Sequence, residues 1–68
     1  MPPRFYAPAL VGPDELLELP GDEARHLTRV LRLGDGDTVS VFDGRGVEYL
    51  ARVEHATSGR VVVRPYQS

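Results

Sequence analysis

Between Gly21 and Gly46 the chain reads GDEARHLTRVLRLGDGDTVSVFDGRG, and its hydrophobic period changes from helical to strand-like inside that span. An amphipathic helix runs into a Gly-Asp-Gly-Asp turn, and the turn feeds a strand that ends in an Asp-Gly loop. A fold that accepts this order must lay one short helix against a sheet.

At about 100° per residue, Ala24, Leu27, Val30 and Leu31 share one arc of a helix expected over about 22–32. That arc is expected to press onto the sheet. Arg25, Arg29 and Arg32 sit at i, i+4 and i+7 and share a narrower arc roughly opposite, with His26 on the border beside Val30. Gly21 or Asp22 is placed to cap the helix, and Asp22 and Glu23 suit its positive N-terminal end. Gly34 is placed to take the left-handed conformation beyond the C-cap. A row of planar guanidinium forks suits phosphate oxygens. The plainer alternative is a solvated helix face on which Asp22 pairs with Arg25 and His26. The arginines alone do not choose between the two.

The chain has 68 residues, which makes one domain at most. A chain this short buries only about 60% of the surface its unfolded form exposes, so its stabiliser must be an apolar core, a partner or a further domain of the same protein. There is no cysteine, which excludes disulfides and thiolate metal sites, and two distant histidines do not make a zinc site. The net charge of −2 argues mildly against a nucleic-acid binder, although phosphate contacts are made residue by residue. All eight basic residues are arginine, so every cation can make bidentate contacts. No run approaches the ~20 apolar residues of a membrane span. The start, MPPRFYAPAL, lacks the apolar centre of a signal peptide, and a cytoplasmic location is expected.

Taken in order, Arg4-Phe5-Tyr6 lies among prolines and reads as a short edge strand or extended arm, with Phe5 or Tyr6 turned inward. An aromatic beside an arginine is also able to stack a base. Gly12-Pro13-Asp14 is a turn, and Glu15 to Leu19 reads as a strand, though helix fits the same residues. Thr38 to Phe42 alternates, with Val39 and Val41 on one face. Asp43 to Gly46 is a hairpin loop. Val47 to Glu54 alternates again, His55 to Gly59 is a polar loop, and Arg60 to Tyr66 is a β-branched strand. The sum is mainly β: a small closed or partly open barrel of five to six short strands, with the helix over one open end.

His26, His55, Asp43 and Glu48 are the candidates for acid–base work, and no nucleophile stands in order with a base. There is no phosphate loop. Gly34-Asp35-Gly36 looks like part of a dinucleotide motif, but it follows a helix and precedes a strand, which reverses the required context. A metal-free nuclease built on His26 would need convergent groups in a pocket. His26 reads instead as a half-buried helix residue bonded to backbone or an acid, or as an RNA contact. No catalytic or metal-ligating residue is assigned.

His26, Arg29-Val30-Leu31-Arg32, Gly36-Asp37 and Val41-Phe42-Asp43-Gly44, in this order and spacing, resemble the opening of the small-subunit ribosomal RNA methyltransferase E family. Arg4-Phe5-Tyr6, and a strand opening near Tyr49 and Ala51, fit the same pattern. The resemblance covers essentially residues 1–68. It implies a PUA-like β-barrel that helps recognise small-subunit ribosomal RNA, followed in the parent protein by a knotted SPOUT-class domain that binds S-adenosylmethionine, methylates uridine N3 and dimerises. The 68 residues themselves would then be non-catalytic and hold no cofactor. Arg29 and Arg32 match the motif; Arg25, Arg4, His26 and Arg45 are the further candidates for RNA contact. Two other readings stay open: a stand-alone barrel that docks on RNA or the ribosome, and a structural domain that packs on its own catalytic domain.

Overall fold

A computed structural model describes residues 2–68; Met1 lies outside the described residues. Five strands form one sheet: β1 (Arg4–Tyr6), β2 (Leu17–Glu18), β3 (Thr38–Phe42), β4 (Glu48–Thr57) and β5 (Arg60–Gln67). Their spatial order is β1-β3-β4-β5-β2. β1 runs parallel to β3, and the other pairings are antiparallel. β1 and β2 are the two edges and do not pair, so the sheet curls into a half-barrel rather than a closed one.

Alternation decides which side is buried. Val39 and Val41 of β3, Ala51 and Val53 of β4, and Val61 and Val63 of β5 all point into the concave side. Phe5, Ala7, Leu10, Leu17, Leu19, Ala24 and Leu27 complete that core. The expected strand over Glu15 to Leu19 is in ladder register at Leu17 and Glu18, opposite Val63 and Val62, and the Leu19 N–H donates to Val61 O at 2.9 Å.

β4 runs on to Thr57, so the polar segment after Glu54 is strand rather than the expected loop. It stays paired because β5 supplies partners as far as Arg60, across a turn at Ser58-Gly59. The register slips between Val53 and His55, and again between Leu50 and Ala51. Each slip leaves one residue unmatched, and such bulges bend and twist a long hairpin. They give β4 and β5 the curvature of a half-barrel.

The helix departs most from expectation. α1 spans only Gly21–Arg25, and the chain continues as a π-helical turn over His26–Val30. Pro20, not Gly21 or Asp22, stands at the N-cap, and no side chain caps it. The Thr28 hydroxyl donates to Ala24 O at 2.9 Å, which engages a carbonyl of the α-helical ladder. The Leu31 N–H then reaches back to His26 O at 3.0 Å, five residues earlier. A turn wider than 3.6 residues swings the residues beyond it away from the α-helical stripe. Ala24 and Leu27 are fully buried, whereas Val30 is 69% and Leu31 39% exposed. The expectation that Val30 and Leu31 join the core is therefore wrong.

The helical segment also ends early. Arg32, not Gly34, takes the left-handed conformation, with φ +57°, and the Leu33 N–H donates to Leu27 O across it. The turn leading into β3 is clamped by its own aspartates. Asp37 accepts from the Gly34 N–H at 2.8 Å, and Asp35 accepts from the Ala56 N–H at 2.9 Å.

Candidate RNA interface

The eight arginines fall into two groups according to what they touch. Arg4 donates to Glu48, Arg60 lies 3.2 Å from Glu18, Arg64 lies 3.3 Å from Glu54, and Arg45 lies 3.7 Å from Asp43. Arg52 has its guanidinium 5.7 Å from the centre of the Tyr66 ring. Arg25, Arg29 and Arg32 are exposed and have no carboxylate within ion-pair distance among the described residues. Asp22 therefore does not pair with Arg25 or His26, as the plain reading of a solvated face required. Glu23 turns to β1 instead, where its carboxylate accepts the Tyr6 N–H at 2.7 Å.

The three helix arginines do not form one straight row. Arg25 ends α1 and folds its guanidinium back over Gly21. Arg29 stands on the π turn, and Arg32 lies beyond it, in the left-handed residue that ends the helix. The result is a run of uncompensated positive charge over eight residues, interrupted by the exposed Val30 and Leu31.

His26 is exposed rather than half-buried, and its ring and that of Phe5 lie T-shaped, with centroids 6.2 Å apart at 89°. Among the described residues no hydrogen bond ties it to an acid. Arg4 and Arg45, the two candidates outside the helix, are engaged internally. Glu48 takes two N–H groups of Arg4, at 3.0 and 3.1 Å, and also accepts the Ser40 hydroxyl. The Arg4 guanidinium and the Ser40 hydroxyl hold the Glu48 carboxyl below its ordinary range, against a smaller opposing effect of burial. Asp43 accepts the N–H groups of Arg45, at 2.7 Å, and Val47, at 3.1 Å, across the hairpin loop. The Arg45 N–H is the main cause that lowers the Asp43 pKa; burial opposes it, and the Val47 N–H and the Arg45 charge add to it.

On the outer face of the sheet, Tyr6 and Phe42 form an aromatic pair that sequence alone does not identify. Alternation places Phe5 and Tyr6 on opposite sides, and Phe42 opposite Val39 and Val41. Their meeting depends on the register of β1 against β3.

The described residues form no pocket and no group of three or more potential metal ligands. The arrangement is an open surface that can bind and orient a polyanion.

The match to the family model of the RNA methyltransferase PUA domain runs from residue 19 to residue 66, over most of the chain. The chain belongs to the RNA methyltransferase PUA domain family. Solved structures agree. A Legionella pneumophila protein named as a methyltransferase, with bound S-adenosylmethionine (SAM), superposes with a TM-score of 0.91 at 31% identity; the match covers 98% of this chain and 28% of that one. Ribosomal RNA small subunit methyltransferase E from Neisseria gonorrhoeae, also bound to S-adenosylmethionine, gives 0.88 at 30% identity, covering 98% and 27%. A Porphyromonas gingivalis protein named as an rRNA methyltransferase gives 0.78 at 41% identity, covering 93% and 25%. This PUA domain thus spans about a quarter of the length of the proteins it matches.

The matched helix motif holds both kinds of residue in this PUA domain. Leu27 anchors it to the core, while Arg29 and Arg32 face solvent.

Proposed function

We propose that this PUA domain is the RNA-recognition module of an S-adenosylmethionine-dependent methyltransferase that acts on N3 of a uridine in small-subunit ribosomal RNA. In this reading Arg25, Arg29 and Arg32 receive RNA phosphates, and a separate catalytic domain of the parent protein binds the methyl donor, dimerises and does the chemistry. The parent works in the cytoplasm, where ribosomal RNA is modified. The observation that carries the reading is the charge distribution: among the described residues, four of the five arginines outside the helical segment have a carboxylate partner and the fifth, Arg52, lies over the Tyr66 ring, whereas Arg25, Arg29 and Arg32 have none. Uncompensated guanidinium forks are suited to phosphate oxygens. The neighbours that share this fold and carry S-adenosylmethionine support the enzymatic context.

The test is binding of a small-subunit ribosomal RNA segment at two salt concentrations. Arg29→Ala and Arg32→Ala should each weaken binding for any RNA sequence and reduce the salt slope by about one per lost phosphate contact. Unchanged affinity and slope in both variants would remove the proposal.

The exposed Val30 and Leu31 favour a second reading, in which the end of the helix packs on a further domain of the same protein. Under that reading the arginine variants leave RNA affinity alone, and Val30→Asp weakens assembly of the parent protein.

A further inference from the structure

β1 alternates across the sheet, so Phe5 enters the core while Arg4 and Tyr6 stand on the outer face. The register sets Tyr6 beside Phe42. Their ring centroids are 5.7 Å apart, with a 44° tilt. The Arg4 guanidinium lies 4.5 Å from the centre of the Phe42 ring and is held there by Glu48. The hairpin after β3 comes up against Tyr6: a Cβ built on Gly44 would lie 3.2 Å from Tyr6 Cε1. The Tyr6 ring is held by these neighbours, and the residue is still 43% exposed.

A ring already held in place loses little freedom when something stacks on it. Its surroundings say what that is. The charge of Arg4 is matched by Glu48. The free edge of β1 lies against the helix, where Tyr6 N–H meets Glu23 and Phe5 meets His26. The start of the segment that carries Arg25, Arg29 and Arg32 therefore meets the backbone and inner face of the strand that bears the ring on its outer face. An apolar protein surface would cover the ring and leave those cations unmatched. A single strand of RNA satisfies both, with phosphates for the cations and a planar base for the ring.

We infer that Tyr6, backed by Phe42 and Gly44, stacks one unpaired base of a single-stranded RNA whose phosphates run along the helical segment; this rests on the RNA-recognition role proposed above. Stacking on an aromatic face is tolerant of base identity, so Tyr6 positions the strand and does not read its sequence.

The chain has three tyrosines and no tryptophan. With Tyr49→Phe and Tyr66→Phe in place, Tyr6 is the sole emitter. Two probes are titrated against this protein: a short oligouridylate, and an abasic ribose-phosphate strand of the same length. The oligouridylate should quench Tyr6 emission and bind more tightly; the abasic strand should bind without quenching. Tyr6→Leu should weaken oligouridylate binding roughly 5- to 150-fold, the span of one lost base stack, and leave the abasic strand unaffected. Tyr6→Phe should keep the wild-type affinity. Equal affinity for the two strands with no quenching overturns the stacking role and leaves the phosphate-binding role standing. Failure of both strands to bind overturns both. If Tyr6→Leu does not fold, the quenching comparison decides by itself.

Discussion

Arg4 and Glu48, 44 residues apart in the chain, form a two-pronged ion pair that spans β3 on the outer face of the sheet. Neither strand of the pair hydrogen-bonds to the other, so this contact ties the β1 edge to the middle of the sheet.

Acid should loosen that tie. The Glu48 and Asp43 carboxyls are both held below their ordinary values of 4.5 and 3.8. A depressed folded-state pKa means that the unfolded chain binds the proton more readily. The contribution to stability is full above the ordinary values and is lost as pH falls through the folded ones. Thermal unfolding followed from about pH 6 down to about pH 3 should show a falling midpoint over that acid range. Glu48→Gln should flatten part of the fall, because Gln has no proton to bind.

Leu27 and Val30 should respond very differently to truncation, although a single α-helix would place both in the core. Leu27→Ala removes a fully buried side chain and should cost about 2–5 kcal/mol. Val30→Ala trims an exposed one and should fall within about 0.5 kcal/mol of wild type. Urea unfolding of the two variants measures both. Comparable losses would mean that the π turn is absent in solution.

Gly44 and Gly34 make a second contrasting pair. Gly44 has φ +78°, and a Cβ there would press on Tyr6. Gly44→Ala should destabilise by about 1–2 kcal/mol from the backbone alone. Gly34 is outside the left-handed region and has nothing within 4 Å of a built Cβ. Gly34→Ala should stabilise by about 0.4–1 kcal/mol through a less free unfolded chain. Melting temperatures of the two variants should move in opposite directions.

Arg60 offers a control for the RNA reading. It is exposed and as charged as Arg29, but Glu18 lies 3.2 Å from it. Arg60→Ala should leave the RNA affinity and its salt slope unchanged, while Arg29→Ala reduces both. Equal effects from the two would point to a diffuse electrostatic attraction.

Much of the sheet is legible in the chain because alternation is a local property. Arg4 to Tyr6 carries it in full, Thr38 to Phe42 carries it except that Ser40 is buried too, and β5 runs one residue past the expected Tyr66, to Gln67. The polar residues after Glu54 read as loop because their strand partners lie on the far side of a turn. The π turn is hidden for a different reason. It shows in the Thr28 hydroxyl taking the Ala24 carbonyl and in the Leu31 N–H reaching back to His26 O, and a threonine in a helix gives no sign of either. Spacing shows that Arg25, Arg29 and Arg32 belong to one segment. It cannot show that Glu18 and Glu48 are already taken by Arg60 and Arg4, because those pairs depend on strand order.

The interleaved strand order also governs how the domain comes into being. β2 has β5 as its strand partner, and Leu17 lies opposite Val63. A growing polypeptide emerging from the ribosome can assemble β1, β3 and β4, but it has nowhere to dock Leu17 until Arg60–Gln67 have been made. The closing step must therefore knit distant parts together at once, which is slow for a chain this small and favours an all-or-none transition.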